Sequence, residues 1–363
     1  MKYLFIFGMY RSGTTTLSKL IDCFERISLR NDPLFFFFRS LRNSLYKKSS
    51  DKNKKKFGHY IFDNLEKKVF DRICKINLKK KIINKKKLID EILINIKKYQ
   101  PDLKEQIKKN NGKTYYSFLT NFLNEISKLK KNVKYAGLKE VWITEFYPCL
   151  KKNLNNSKFI FLVRDPRAVI ASALNNKKNL YDIYFLINQW RKISGLSSSY
   201  YEKDKSKVLL IKYENIIKNF NKETKKICLF LKIKNVSPKI IIKNLKFEKK
   251  WSQNSTYKNK SKNFFNKYSL DIWKRKLSKD QIKFIEFILY EEMKILNYQP
   301  TYIKKLDFDQ NNYKNNLKKF ISIEDINNEI NRKKIIYNIK KEYESYYFLN
   351  KQIFNQLRLS TKN

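Results

Sequence analysis

Apolar residues gather in short blocks without polar alternation, and each block runs straight into a loop or a helix start. Tyr3–Phe7 and Phe159–Val163 are each five β-favouring side chains in a row, and a third block lies at 207–212. Such runs fit strands buried on both faces, as in a parallel sheet. After the first, Leu17, Leu20, Ile21 and Phe24 recur at i, i+3, i+4 and i+7, the stripe of a helix packed on a sheet. The second feeds another helix, with Asp165 as N-cap and Pro166 at the first helical position. Long helical stretches separate the strands, which predicts an α/β chain. A further helix is expected within Trp273–Glu286, with Ser278 a candidate N-cap. Near the end, Ile336, Ile339, Tyr343, Tyr346, Ile353 and Leu357 form a broken seven-residue stripe, suited to docking on the core or to pairing with a second copy.

The longest apolar runs (Leu4–Gly8, Leu34–Phe38, Phe159–Val163) are about five residues, where a membrane-spanning helix needs about 20. The opening MKYLFIFGMYR is too short for a secretory leader and has no small-residue cleavage site, so a cytoplasmic protein is expected.

Composition narrows the class. The 363 residues include 27 Phe and 24 Tyr, too much aromatic surface for a disordered polyelectrolyte. Six Gly, six Pro and four Cys exclude collagen-like, Pro-rich and disulfide-scaffold chains. Cys23, Cys74, Cys149 and Cys228 are far apart and suggest reduced, buried thiols. The formal charge is +48, carried by 69 Lys and only 12 Arg. Lys, Asn, Ile, Phe and Tyr are the residues of AT-rich codons, so the lysine excess needs no nucleic-acid partner. Such a surface still attracts phosphate- or sulfate-bearing ligands and anionic head groups, which leaves peripheral membrane contact open. The basic runs Lys47–Lys56 and Lys79–Lys87 read as solvated faces rather than a nucleic-acid arm.

Against that background two clusters of scarce residues stand out. Gly8 and Gly13 bracket Arg11 in Gly8-Met-Tyr-Arg-Ser-Gly-Thr-Thr15, a loop between a strand and a helix. Unmade N–H bonds of the first helical turn and the helix dipole favour an anion there. The glycine spacing is that of the nucleotide-binding P-loop, G-x-x-x-x-G-K-[ST], but Thr14 stands where that motif has Lys. The second cluster is Arg164-Asp-Pro-Arg-Ala-Val-Ile-Ala-Ser172, holding Ala168 and Ala171, with Ala173 next. Arg164 follows its strand at the carboxyl edge, where open α/β sheets bind ligands, and its fork suits phosphate. An Arg–Asp pair that only caps the helix is the alternative.

Together these two places resemble the 5′-phosphosulfate and 3′-phosphate loops of sulfotransferases that use 3′-phosphoadenosine 5′-phosphosulfate (PAPS). The similarity is strongest to the Arg-Ser-Gly-Thr-Thr branch, which includes bacterial carbohydrate and tyrosylprotein sulfotransferases, and covers about residues 1–298. It implies a P-loop-like parallel sheet flanked by helices, with 34–135 a long helical insertion on the acceptor side and 299–363 a helical C-terminal extension. The resemblance assigns Arg11, Ser12, Gly13, Thr14 and Thr15 to the 5′-phosphate and sulfonate. Arg164 and Ser172 fall to the 3′-phosphate, and Tyr213 to the nucleotide's surroundings. It makes Asp32 the candidate base and Lys139 the residue stabilising the bridging oxygen, with Arg11 sharing the catalytic work. Asn176 replaces a further phosphate-binding Arg of some relatives, and Lys177 is a substitute. His59, the one histidine, rivals Asp32 as base, and Ser255 matches a loop near the active site. The acceptor implied is a hydroxyl of a glycan, a lipid-linked sugar or another small molecule, with no metal and no specific nucleic acid; a homodimer is open. The alternatives are a P-loop kinase-like phosphotransferase, a basic nucleic-acid-binding protein, and a family member that binds the nucleotide without turnover.

Overall fold

A computed structural model describes residues 1–46, 74–141, 143–175, 181, 183–247 and 267–304. In chain order the elements are β1 (Lys2–Gly8), α1 (Thr14–Asp22), β2 (Ile27–Asn31), α2 (Phe35–Tyr46), α3 (Lys85–Tyr99), α4 (Lys104–Lys108), α5 (Tyr115–Ser127) and β3 (Tyr135–Val141). Then come α6 (Tyr147–Asn153), β4 (Ser157–Val163), α7 (Pro166–Leu174), α8 (Ile183–Lys203), β5 (Val208–Lys212), α9 (Tyr213–Lys218), α10 (Phe220–Leu231) and α11 (Pro238–Phe247). The last are α12 (Ile272–Lys276), α13 (Lys279–Ile288) and α14 (Tyr290–Ile295). None of the described helices is long and apolar enough to cross a membrane.

The sheet is the five-stranded order β2-β3-β1-β4-β5, and every pairing is parallel. This is the α/β arrangement expected, with two strands more than the apolar blocks announce. β1 lies at the centre, and Leu4 to Phe7 are fully buried, as a strand covered on both faces requires. Alternation puts Phe5 and Phe7 on one face against Phe159 and Phe161; the Phe5 and Phe159 rings stack at 5.4 Å. Tyr147 closes that cluster edge-on to Phe159 at 4.7 Å. Leu17, Leu20, Ile21 and Phe24 are all buried, as their spacing predicts. In the Phe35–Phe38 patch, Phe37 and Phe38 enter the core while Phe35 and Phe36 stay half-exposed.

The chain divides into two compact units. One carries the whole sheet with α1 to α6 and α9 to α11. The other begins at Arg164 and holds α7, most of α8 and α12 to α14. In that second unit the expected single helix within Trp273–Glu286 is two, α12 and α13, broken at Leu277 and Ser278. Ser278 is the cap of α13: its side chain accepts from Gln281 N–H while Gln281 reaches back to Ser278 N–H, a reciprocal box. Lys47–Lys56, His59, Asn176, Lys177, Ser255 and the 336–357 stripe lie outside the described residues.

Candidate active site

Parallel pairing brings the carboxyl ends of all five strands to one edge of the sheet. At β1 the chain leaves through Gly8 and turns at Met9, whose carbonyl accepts from both the backbone N–H (3.1 Å) and the hydroxyl (2.6 Å) of Ser12. Arg11 and Gly13 take positive φ, 69° and 95°. The Arg11 guanidinium lies 5.6 Å from the Tyr10 ring centroid. Helix α1 then starts at Thr14 with no side-chain cap and no acidic residue in its first turn. An uncapped helix start without a carboxylate is suited to a bound anion. Gly13 is required twice over, by its φ and because a Cβ there would lie 2.3 Å from Cδ2 of Tyr213. Tyr213, the first residue after β5 and buried, therefore lies with its ring against Gly13 of the loop.

Two strand ends away, Asp32 and Lys139 meet. The Lys139 ammonium donates to Oδ2 of Asp32, and Oδ1 accepts from Val141 N–H at 3.2 Å. Lys139 is a buried cation whose side chain is 2% exposed, while the Asp32 side chain is 40% exposed. The carboxylate is thus open to a reactant on one side and anchored on the other. Asp32 is held at φ 51°, an uncommon conformation for a non-glycine residue. Its N–H donates to the Lys139 carbonyl at 2.7 Å, and its own carbonyl accepts from Asn95 at 2.9 Å. Beside this pair, Glu140 is fully buried and accepts the Leu34 N–H at 2.6 Å. Burial, and then the charge of Asp32, hold the Glu140 carboxyl well above its ordinary pKa, against the opposing pull of the Leu34 N–H and Lys139.

In the second unit, the Arg164-Asp-Pro-Arg stretch separates its two arginines. Asp165 caps α7, accepting Arg167 N–H at 2.9 Å, with Pro166 at the first position. Arg167 turns back onto Asp165 through Nε (3.0 Å) and Nη2 (2.7 Å), reaches Glu286 at 2.6 Å and stacks 4.1 Å from the Trp273 ring centroid. The Arg–Asp capping pair is therefore real, and it belongs to Arg167. Arg164 is held differently: its guanidinium donates to the Ser269 carbonyl, and its carbonyl accepts from the Trp190 indole at 2.8 Å. Ser172, two turns into α7, is 8% exposed.

The sequence profile described as the sulfotransferase domain matches residues 2–297. The chain belongs to the sulfotransferase domain family. Comparison with curated protein sequences returns no match. Among solved structures, it is similar to the sulfotransferase domain from the curacin biosynthetic pathway: 13% identity, 83% of this chain and 99% of that one, TM-score 0.48. It is also similar to the sulfotransferase domain of the Synechococcus PCC 7002 olefin synthase: 15% identity, 79% and 94% covered, TM-score 0.44. A third is mouse sulfotransferase SULT7A1 complexed with PAP: 14% identity, 81% and 85% covered, TM-score 0.40.

In this sulfotransferase-family chain the sheet unit brings together the 11–15 loop, Tyr213, Asp32 and Lys139 along one edge. Sequence reading missed buried Glu140 and the amides that hold the turn at Asp32. Glu140 stood beside Lys139 in a segment too charged to be taken for a buried strand. Asn95, and Gln100, which donates to the Asn31 carbonyl, come from 69 or fewer residues downstream, with no local pattern to single them out.

Proposed function

We propose that this sulfotransferase-family chain moves a sulfonate from PAPS to a hydroxyl of a small or glycan acceptor. The observation that supports this most is the pairing, on one sheet edge, of an uncapped, Arg-bearing glycine loop with an anchored carboxylate–lysine pair. In this reading Arg11, the hydroxyls of Ser12, Thr14 and Thr15 and the first N–H groups of α1 bind the 5′-phosphosulfate, while Tyr213 packs the loop from behind. Arg164 and Ser172 take the 3′-phosphate by the family motif. Asp32 accepts the proton of the acceptor hydroxyl as its oxygen forms the new bond to sulfur. Lys139, its ammonium already fixed by Asp32, faces the charge that builds on the leaving phosphate when the sulfur–oxygen bond breaks. Half-exposed Phe35 and Phe36, just beyond Asp32, offer the acceptor an apolar wall.

Calorimetry with 3′-phosphoadenosine 5′-phosphate (PAP) tests the reading. Each charge-assisted hydrogen bond to a phosphate contributes about 1.5–3 kcal/mol, so Arg11→Ala and Arg164→Ala should each weaken PAP binding about tenfold or more. Equal affinity for ATP and PAP would favour a phosphotransferase instead, and PAP affinity untouched by Arg164→Ala would remove the 3′-phosphate assignment.

A further inference from the structure

The opposite edge of the sheet carries a second charged feature that sulfonate transfer does not use. Each strand begins beside a cation: in the order β2-β3-β1-β4-β5 these are Arg26, Lys134, Lys2, Lys158 and Lys207, every one within a residue of its strand's start. With strands about 4.8 Å apart the row is about 19 Å long. Side chains as well as backbone converge: Lys134 lies within electrostatic reach of Lys2, Arg26 and Lys232, and Lys158 within reach of Lys232, Lys2 and Lys207, where Asp204 opposes them. Burial first, and then these like charges, press the Lys134 and Lys158 ammonium groups below their ordinary pKa, against the pull of Asp204 on Lys158. Several of these ammonium groups rest on carbonyls, which leave their charge intact: Lys134 on Lys232 (2.5 Å), Lys207 on Asn155 (3.1 Å) and Lys158 on Ser206. Of the nearby acids, Asp22 is taken by Lys130 at 2.9 Å and Asp204 by Lys151 at 2.5 Å, with Glu25 also at this edge.

Two more observations select the partner. A hollow of about 700 Å³ opens among Glu25, Arg26, Lys130, Lys131, Asn132 and Val133, next to the β2 end of the row. Exposed leucines stand beside these cations: Leu129 (37%), just after α5 and directly before Lys130, and Leu229 (78%), in the last turn of α10 and three residues before Lys232. A nucleic-acid groove would offer open aromatic platforms for bases; here half-buried Phe230 is covered by the Lys158 ammonium, 4.6 Å from its ring centroid. Cations mixed with exposed aliphatic side chains instead match an anionic bilayer, where head groups meet the lysines and leucines enter the acyl boundary.

We propose that the amino edge of the sheet is a docking surface for an anionic lipid membrane, leaving the opposite edge, with its glycine loop and Asp32, turned to the aqueous side.

The test is sedimentation of the full chain with vesicles of pure phosphatidylcholine or of phosphatidylcholine containing phosphatidylserine, at low and at about 0.5 M salt. Binding is expected to the phosphatidylserine vesicles alone and to be lost at high salt. Reversing three exposed cations of the row and its flank (Lys2→Glu, Arg26→Glu, Lys232→Glu) should weaken it tenfold or more. An equal reversal elsewhere (Lys86→Glu, Lys87→Glu, Lys109→Glu) should leave most of it. Leu229→Ser, at a position too exposed to matter for folding, should weaken binding severalfold without changing its salt dependence. The proposal is overturned if both triple variants lose binding alike, since bulk charge would then suffice. It is overturned equally if the row variant loses affinity for single-stranded RNA and none for vesicles. PAP affinity is read in parallel; its persistence in the row variant separates this surface from the nucleotide site.

Discussion

At Gly13 a single hydrogen atom stands where any other residue would carry carbon. A Cβ would meet the Tyr213 ring at 2.3 Å, and φ 95° adds a backbone cost of about 1–2 kcal/mol for an L-residue. Gly13→Ala should therefore lower Tm by several degrees and weaken PAP binding at least tenfold. In a Tyr213→Ala background part of that loss should return, because only the backbone cost remains; a double-mutant cycle by calorimetry measures the difference. Glu140 makes a prediction of opposite character. Its folded pKa is raised from an ordinary 4.5, so the native chain keeps a proton that the unfolded chain gives up. That stabilisation is complete below the ordinary value and is lost as pH climbs through the folded one. Tm should fall as pH rises from about 5 to 8, and Glu140→Gln, which keeps an acceptor for Leu34 N–H, should flatten the slope. An unchanged slope would place the titrating group elsewhere.

Strands β1, β4 and β5 were legible because nothing but apolar residues was needed to fill them. β2 and β3 were not, because Arg30, Lys139 and Glu140 interrupt their runs, and a charge inside a buried strand is tolerable only with partners that sequence does not reveal. Here the partners are distant in the chain: Asp32 for Lys139, and the Leu34 N–H for Glu140. The glycine loop was readable for the converse reason, since its chemistry is local to eight residues. Asp165 as cap and Pro166 as first residue of α7 were equally local, and so was Ser278. Local pattern could not tell Arg164 from Arg167, because the distinction depends on Glu286, Thr301 and Trp273, more than 100 residues away. Arg167→Ala strips the cation from buried Asp165 and Glu286. A loss of about 3–5 kcal/mol is expected from breaking such a buried pair, read from the urea midpoint at constant m. Glu286 also accepts the N–H groups of Thr301 (2.7 Å), Tyr302 (2.7 Å) and Ile303 (3.2 Å), so Arg167→Ala should leave that turn attached.

The formal charge of +48 sets conditions that no single contact controls. Like charges repel across a compact chain, and the unfolded chain relieves that repulsion by expanding. At low ionic strength the protein should therefore be less stable than its apolar core alone would make it. Potassium chloride between about 10 mM and 300 mM shortens the screening length from about 30 Å to below 10 Å and should raise Tm steadily. The internal ion pairs oppose this only weakly, because Arg167–Glu286 and Arg191–Glu292 have side chains no more than 5% exposed and are poorly screened. Chloride is the appropriate anion, since on the proposed reading sulfate or phosphate would also occupy the Arg11 loop and confuse site occupancy with screening. The row along the amino edge concentrates the effect, so Lys2→Glu with Lys232→Glu should raise Tm at 10 mM salt and change it little at 300 mM. A Tm that falls with added chloride would mean that attractive surface pairs outweigh the repulsion, and that the lysine excess is already neutralised within the fold.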